Sequence, residues 1–342
     1  MADVSVIGAG SWGIALALVL AKNGNKVTVW SIVKEEIDML NEKREHVDKL
    51  PGVPLPSEMV FTTDLEEAVK GKKALVLAVP SVFTRGTANK MKEYVEEGQI
   101  IVNVAKGIEE STLMTLSEII EEEIPQADVA VLSGPSHAEE VGRGVPTTIV
   151  VGAKTEETAV YLQNLFMNDV FRVYTSSDIL GMELGGSLKN VVALAAGIAD
   201  GLGYGDNTKA ALITRGIAEI SRLGVAMGGK AESFNGLTGI GDLIVTCASV
   251  HSRNRKAGVL IGQGKTMDEA MKEVKMVVEG VYSAKAAMLL SKKYNVSMPI
   301  IEQVNLVLFE NKPADEAVKD LMFRDKRVEN SVVNGRGLYN EK

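Results

Sequence analysis

The chain carries two hydrophobic rhythms, one after the other. Up to about Ser177, short β-branched runs at 4–7, 26–30, 59–62, 74–79, 99–104, 129–132, 148–152 and 171–174 predict strands. Between them, apolar positions three and four apart at 11–23, 34–41, 112–124 and 156–167 predict helices. Strands alternating with helices imply βαβ units and a mostly parallel sheet. Residues 44–57 carry Pro51, Pro54 and Pro56 and read as a loop, because prolines this dense break both elements. After Ser177 the β-branched runs stop. Helical spacing follows at 180–199, 209–227, 257–262, 266–276, 283–294, 300–310 and 313–322. A boundary therefore falls near Ser177, dividing an α/β domain at 1–177 from an all-helical domain at 178–342. The tail from Arg327 is polar and reads as loose.

Length agrees with this division, since 342 residues at roughly 100–200 per domain make two. Such a chain buries a large core without staples. Apolar residues are 46% and charged residues 24%, the profile of a soluble globular protein. Aromatics at 5% and 33 glycines argue against an all-β sandwich and toward tight backbone turns. The single cysteine, Cys247, excludes an intramolecular disulfide and a Cys-rich zinc site. His46, His137 and His251 have no metal-ligand spacing, so no metal is expected. A net charge of −8 argues against nucleic acid as the main partner, while leaving room for a local basic pocket. The N-terminal apolar run breaks at Gly8, with no basic flank or cleavage site, so it does not read as a signal peptide. No run of 18 apolar residues appears, and the longest candidate, 190–199, is too short to span a bilayer. A cytoplasmic location without membrane insertion is the expectation.

Gly8-Ala9-Gly10-Ser11-Trp12-Gly13 fits G-x-G-x-x-G. It follows a predicted strand and opens a predicted helix, the context a dinucleotide-binding turn needs. Gly8 would allow the tight turn, Gly10 the approach of a pyrophosphate, and Gly13 close packing of helix on strand. The phosphates would sit on the free N–H groups of the helix start. The expected fold is thus α/β: an N-terminal Rossmann-type doubly wound sheet followed by an all-helical C-terminal domain. The second strand ends in Ser31-Ile32-Val33, with neither an acid nor an arginine. Lys34 is placed to reach a 2′-phosphate and Glu35 a 2′-hydroxyl, or both belong to a solvated helix face. Cofactor choice, NAD or NADP, stays open.

Certain charges stand alone in apolar or glycine-rich surroundings. Lys189 is the only ionisable residue between Glu183 and Asp200, and its helical neighbours are Gly185, Gly186, Val192 and Ala193. Burial lowers a lysine pKa toward the range useful for proton transfer; the bland alternative is a lysine snorkelling from a buried helix. Asp242 is equally isolated, and reads either as a site residue or as the N-cap of a helix beginning at Leu243. Lys106 follows the strand at 99–104, and Gly134-Pro135-Ser136-His137-Ala138 follows the strand at 129–132. Both positions are carboxyl ends of parallel strands, where ligands bind. Ser252-Arg253-Asn254-Arg255-Lys256 lies in a predicted loop before a helix. It is either a phosphate clamp built on a forked guanidinium or a solvated basic cluster.

Together these pieces resemble the NAD(P)-dependent glycerol-3-phosphate dehydrogenase family, its bacterial biosynthetic branch in particular, over nearly the whole chain. The motifs are Val6-Ile7-Gly8-Ala9-Gly10-Ser11-Trp12-Gly13, Ala78-Val79-Pro80-Ser81, Leu132-Ser133-Gly134-Pro135-Ser136-His137-Ala138 and Glu183-Leu184-Gly185-Gly186-Ser187-Leu188-Lys189-Asn190. Further along come Gly201-Leu202-Gly203-Tyr204-Gly205-Asp206-Asn207, Gly239-Ile240-Gly241-Asp242-Leu243, Ser252-Arg253-Asn254-Arg255 and Val278-Glu279-Gly280. The resemblance implies hydride exchange between NAD(P) and C2 of dihydroxyacetone phosphate or glycerol 3-phosphate, feeding phospholipid synthesis. It implies that Lys189 is the catalytic lysine and that Thr246 is a supporting polar residue. It implies substrate contacts at Lys106, Gly134, Ser136, Lys189, Asp242, Ser252, Arg253 and Asn254. Cofactor contacts are implied at Ser11, Trp12, Lys106, Ala138, Arg253, Val277 and Glu279. Many relatives carry a basic residue where this chain has Ser31-Ile32-Val33, so the departure bears on NADPH preference. A homodimer is expected by analogy.

Two other readings compete. A β-hydroxyacid dehydrogenase shares the domain plan, but typically places an Asn four residues after its lysine, where this chain has Ala193. A dinucleotide sensor without turnover needs no proton donor, and Lys189, Lys106 and Asp242 together argue against it.

Overall fold

A computed structural model describes residues 1–326 and 329. The expected loose tail from Arg327 lies, Glu329 apart, outside the described residues. All eight expected strands form: β1 Asp3–Ile7, β2 Lys26–Trp30, β3 Val60–Thr62, β4 Ala74–Leu77, β5 Ile100–Asn103, β6 Asp128–Ser133, β7 Thr147–Gly152 and β8 Phe171–Ser176. They make one sheet in the order β3-β2-β1-β4-β5-β6-β7-β8. Every neighbouring pair is parallel except β6 and β7. The order reverses between β1 and β4, and ligands of such sheets bind in the crevice at that reversal. Val4, Val6, Leu75, Val76 and Leu77 are fully buried, because helices cover both faces of the sheet.

Beyond the last strand the secondary structure of the described residues is helical. Its centre is the helix Ile179–Gly201, buried from Gly181 to Ala199. By length and composition this helix would suit a membrane, but it is the core of the helical layer, wrapped by other helices. The helix Arg253–Gly262 crosses it backbone against backbone. A Cβ on Gly197 would lie 2.1 Å from the Arg255 carbonyl oxygen, and one on Gly201 2.3 Å from that of Val259. From the other side, a Cβ on Gly258 would lie 2.3 Å from the Leu194 oxygen, and one on Gly262 2.3 Å from that of Ile198. Only glycine fits at these four points.

Some helix starts differ from expectation. The helix over 112–124 begins only at Leu116, because Thr115 caps it in a capping box with Glu118. Arg253–Gly262 and Glu279–Lys293 each begin four residues earlier than predicted, since polar first turns hide the apolar period. The segment at 253–256 is therefore the first turn of a helix and not a loop before one. Leu65–Val69, Ala138–Gly142 and Ala231–Phe234 are too short to show a period. Thr84–Met91 is a longer, largely polar helix that was likewise not expected.

Candidate active site

The glycine-rich turn joins β1 to the helix Ser11–Lys22. Gly8 sits at φ 121°, and a Cβ there would lie 2.8 Å from the Ala78 backbone of β4's exit. A Cβ on Gly13 would lie 2.1 Å from the Gly8 carbonyl oxygen, so helix and strand touch directly. A Cβ on Gly10 meets nothing within 4 Å. The helix start has no side-chain cap. Its first N–H groups, from Ser11 on, thus have no side-chain cap and follow the bare backbone of Gly10, a cradle that suits a pyrophosphate. These residues fit NAD or NADP.

Lys189 lies on the central helix with only 4% of its surface exposed, so it does not snorkel. Its Nζ donates to Thr246 Oγ1 at 2.6 Å and lies 3.1 Å from Asp242 Oδ1. Thr246 Oγ1 in turn donates to the Asp242 carbonyl at 2.6 Å, which turns its lone pairs toward the lysine. Asp242 is 2% exposed and begins the helix Asp242–Ala248 after the wide turn Leu237–Gly241. It does not serve as the N-cap: its carboxylate turns to side chains, with Oδ2 accepting from Lys106 Nζ at 2.7 Å. Lys106 also donates to the Gly134 carbonyl at 3.0 Å and Ser136 Oγ at 3.3 Å. Gly134 is at φ 143°, and a Cβ there would lie 3.2 Å from Ile149. The structure thus joins Lys189, Thr246, Asp242, Lys106, Gly134 and Ser136 into one network.

Burial pushes the Lys189 ammonium down to about 8 from the ordinary lysine range. Asp242 pulls it up and Lys106 pushes it further down. Cys247 beside it is buried and driven up to about 12, so it stays a thiol. His137 is held below the usual imidazole range, first by burial and then by Lys189. A lysine near 8 exchanges a proton readily at neutral pH.

The basic patch splits into distinct roles. Ser252 is the N-cap, accepting from Arg255 N at 3.2 Å. Asn254 is buried, donating to Asn190 Oδ1 at 2.9 Å and accepting from Gly280 N at 2.9 Å. Arg253 Nη1 donates to the Val277 carbonyl at 3.1 Å. Arg255 points away and pairs with Asp200 at 2.7 Å. Asn190 follows Lys189, so the Asn254–Asn190 bond ties this helix start to the lysine's turn. The glycine crossing holds the same two helices together further along.

Glu279 opens the helix Glu279–Lys293 and accepts from Ser81 N at 3.1 Å and from Ser81 Oγ. Burial pushes its carboxyl up. Ala138 is buried at the start of Ala138–Gly142. Trp12 packs partly buried beside the sheet core. Sequence reasoning assigned no role to Ser81 or Asn190, although both stand in the quoted motifs.

At the end of β2, Ile32 is 66% exposed and Lys34 pairs with Asp38 at 2.7 Å on the surface. The acid held there is Glu36, which composition alone does not distinguish from Glu35. It accepts from Ser31 Oγ at 2.8 Å and from Lys49. Burial works to raise it, but the donors around it, His46, Lys49 and Ser31, hold it down at about 2.

Residues 3–159 match the family model of the NAD-dependent glycerol-3-phosphate dehydrogenase N-terminus, and residues 178–319 that of the C-terminus. A glycerol-3-phosphate dehydrogenase (NAD(P)+) of Agathobacter rectalis is 72% identical over 331 residues, covering 97% of this chain and 98% of that protein. Its counterpart in Fusobacterium nucleatum is 64% identical over 331 residues, covering 96% and 99%. The crystal structure of the Coxiella burnetii glycerol-3-phosphate dehydrogenase superposes with a TM-score of 0.91 at 36% identity, over 94% of this chain and 99% of that one. The chain therefore belongs to the NAD-dependent glycerol-3-phosphate dehydrogenase family.

Proposed function

We propose that this chain interconverts sn-glycerol 3-phosphate and dihydroxyacetone phosphate with NAD or NADP, supplying glycerol 3-phosphate for phospholipid synthesis. The observation that carries the reading is the buried Lys189 ammonium, held by Thr246 and Asp242 and depressed to about 8. Bound NAD or NADP would supply or take up the hydride at C2 of the substrate. Lys189 gives a proton to the C2 oxygen during reduction and takes it back during oxidation. Asp242 and Thr246 aim its amine, and Lys106, the second cation, keeps the amine acidic. Ser252, Arg253 and Asn254 hold the phosphate, with Gly134 and Ser136 lining the substrate near Lys106. Binding energy at that phosphate, remote from C2, fixes the carbonyl for reaction.

Residues 1–177 form the cofactor domain and 178–342 the substrate domain. Gly8, Gly10, Ser11, Trp12 and Gly13 hold the pyrophosphate side, with Lys106, Ala138, Arg253, Val277 and Glu279 as further cofactor contacts. Arg253, in both sets, couples the two ligands. The protein works as a cytoplasmic homodimer, neither inserted in a membrane nor bound to nucleic acid. The test is cofactor oxidation by purified protein with dihydroxyacetone phosphate, using NADH and NADPH in parallel. Turnover with either is expected, and the ratio reports what the Ser31–Val33 strand end prefers. Cofactor binding with no turnover would overturn the reading.

A further inference from the structure

We propose that Glu183 is a positioning residue for this reaction: its buried side chain fixes the turn that delivers Lys106 to the Lys189–Asp242 pair. The inference rests on the proposed role of Lys189. Glu183 lies on the central helix six residues before Lys189, about 9 Å along the axis, so it does not reach the reacting atoms. It is buried, and so is Asn103, the last residue of β5. Glu183 Oε1 accepts from Ser117 N at 2.9 Å and from Asn103 Nδ2 at 3.4 Å, and its Oε2 accepts from Ser117 Oγ at 2.5 Å. Asn103 then clamps Ala105 from both sides: its Oδ1 accepts from Ala105 N and its Nδ2 donates to Ala105 O, each at 3.2 Å. The next residue is Lys106, which meets Asp242 at 2.7 Å.

Gly186, one turn after Glu183, faces the same lysine. A Cβ there would lie 3.4 Å from Lys106 Cγ. One face of the helix that carries Lys189 therefore sets both the backbone turn and the side-chain path of Lys106. An apolar contact would hold sheet and helix together equally well; a polar network that satisfies Asn103 and Ser117 specifies one register.

Loss of Glu183 frees the Asn103–Lys106 turn and draws Lys106 away from Lys189. The groups facing Lys189 are Asp242 and Cys247 from Asp242–Ala248, Lys106 from the end of β5, and His137 from the loop after β6. With Lys106 displaced, its depressing effect goes and the lysine pKa rises. Glu118 is the charged group beside Glu183.

The experiment measures kcat/KM for dihydroxyacetone phosphate reduction against pH in wild type, Glu183→Ala, Glu183→Gln and Asn103→Ala, with cofactor Kd as a check of the fold. Glu183→Ala and Asn103→Ala are expected to lose roughly 10-fold to 10²-fold in kcat/KM. Their alkaline limb should move up by about half a unit or more, with cofactor Kd unchanged. Glu183→Gln should stay within about threefold, because its oxygen still accepts from Ser117 N and Asn103 and its amide donates to Ser117 Oγ. If Glu183→Ala does not fold, Asn103→Ala breaks the same chain from the sheet side. Wild-type rates and an unmoved limb in the alanine variants would overturn the inference, as would a glutamine variant as impaired as alanine. A wild type that lacks the alkaline limb contradicts the Lys189 reading instead, which separates the two failures.

Discussion

An added methyl group at Gly10 would meet nothing within 4 Å, while one at Gly258 would lie 2.3 Å from the Leu194 carbonyl oxygen. The first glycine stands beside open space. The second lets two helices of the chain touch. In the sheet region, glycine leaves the backbone N–H groups of the helix start without a side-chain cap, and on the proposed reading these groups hold the cofactor themselves. In the helical region it works indirectly, by bringing the start of Arg253–Gly262 against the turn of Lys189 and Asn190. Binding to backbone is local in sequence. Placing side chains is not: Lys106 and Asp242 are 136 residues apart and meet at 2.7 Å.

The comparison breaks most sharply at Lys189→Ala. It removes the proposed proton donor while leaving the sheet region alone, so kcat/KM should fall by about 10²–10⁴ with cofactor Kd at its wild-type value. Near-wild-type turnover would remove Lys189 from the mechanism. Next comes Gly258→Ala, where the methyl group must push the helices apart. Urea denaturation should show about 1–3 kcal/mol of lost stability, and kcat/KM should fall with it as the helix start moves. A variant as stable as wild type would show that the crossing has slack. The smallest effect on the fold belongs to Gly10→Ala. Stability should change by no more than about 0.5 kcal/mol, while NADH or NADPH Kd rises about tenfold, the equivalent of roughly 1.4 kcal/mol. Unchanged cofactor affinity there would mean that the open space at Gly10 is not the cradle.

What was legible in the sequence follows the same divide. The strands were visible because a sheet covered on both faces needs near-continuous apolar runs, as at Leu75, Val76 and Leu77. The glycine turn was visible because its chemistry fits in six consecutive residues. Lys189 and Asp242 stood out as lone charges; only the family resemblance brought them together with Lys106 and Thr246 in one site, and the hydrogen bonds that place Thr246 between Lys189 and Asp242 had no local signal. The start of Arg253–Gly262 was misplaced, since its polar first turn hides the apolar period. Glu183 marked the edge of the apolar stretch around Lys189 and opened a quoted motif, with no role assigned to it. Its hydrogen bonds run to Asn103 and Ser117, 80 and 66 residues away, and no local pattern announces them.

The central claim is that one buried lysine, depressed to about 8, moves the proton in both directions. The direct test is the pH dependence of kcat/KM measured for dihydroxyacetone phosphate reduction and for glycerol 3-phosphate oxidation. Reduction needs the protonated amine, so its rate should fall as pH rises through about 8. Oxidation needs the neutral amine, so its rate should rise through the same value. Two limbs of opposite slope crossing one pKa are the predicted result. Profiles that are flat there, or that move in the same direction, would contradict the account.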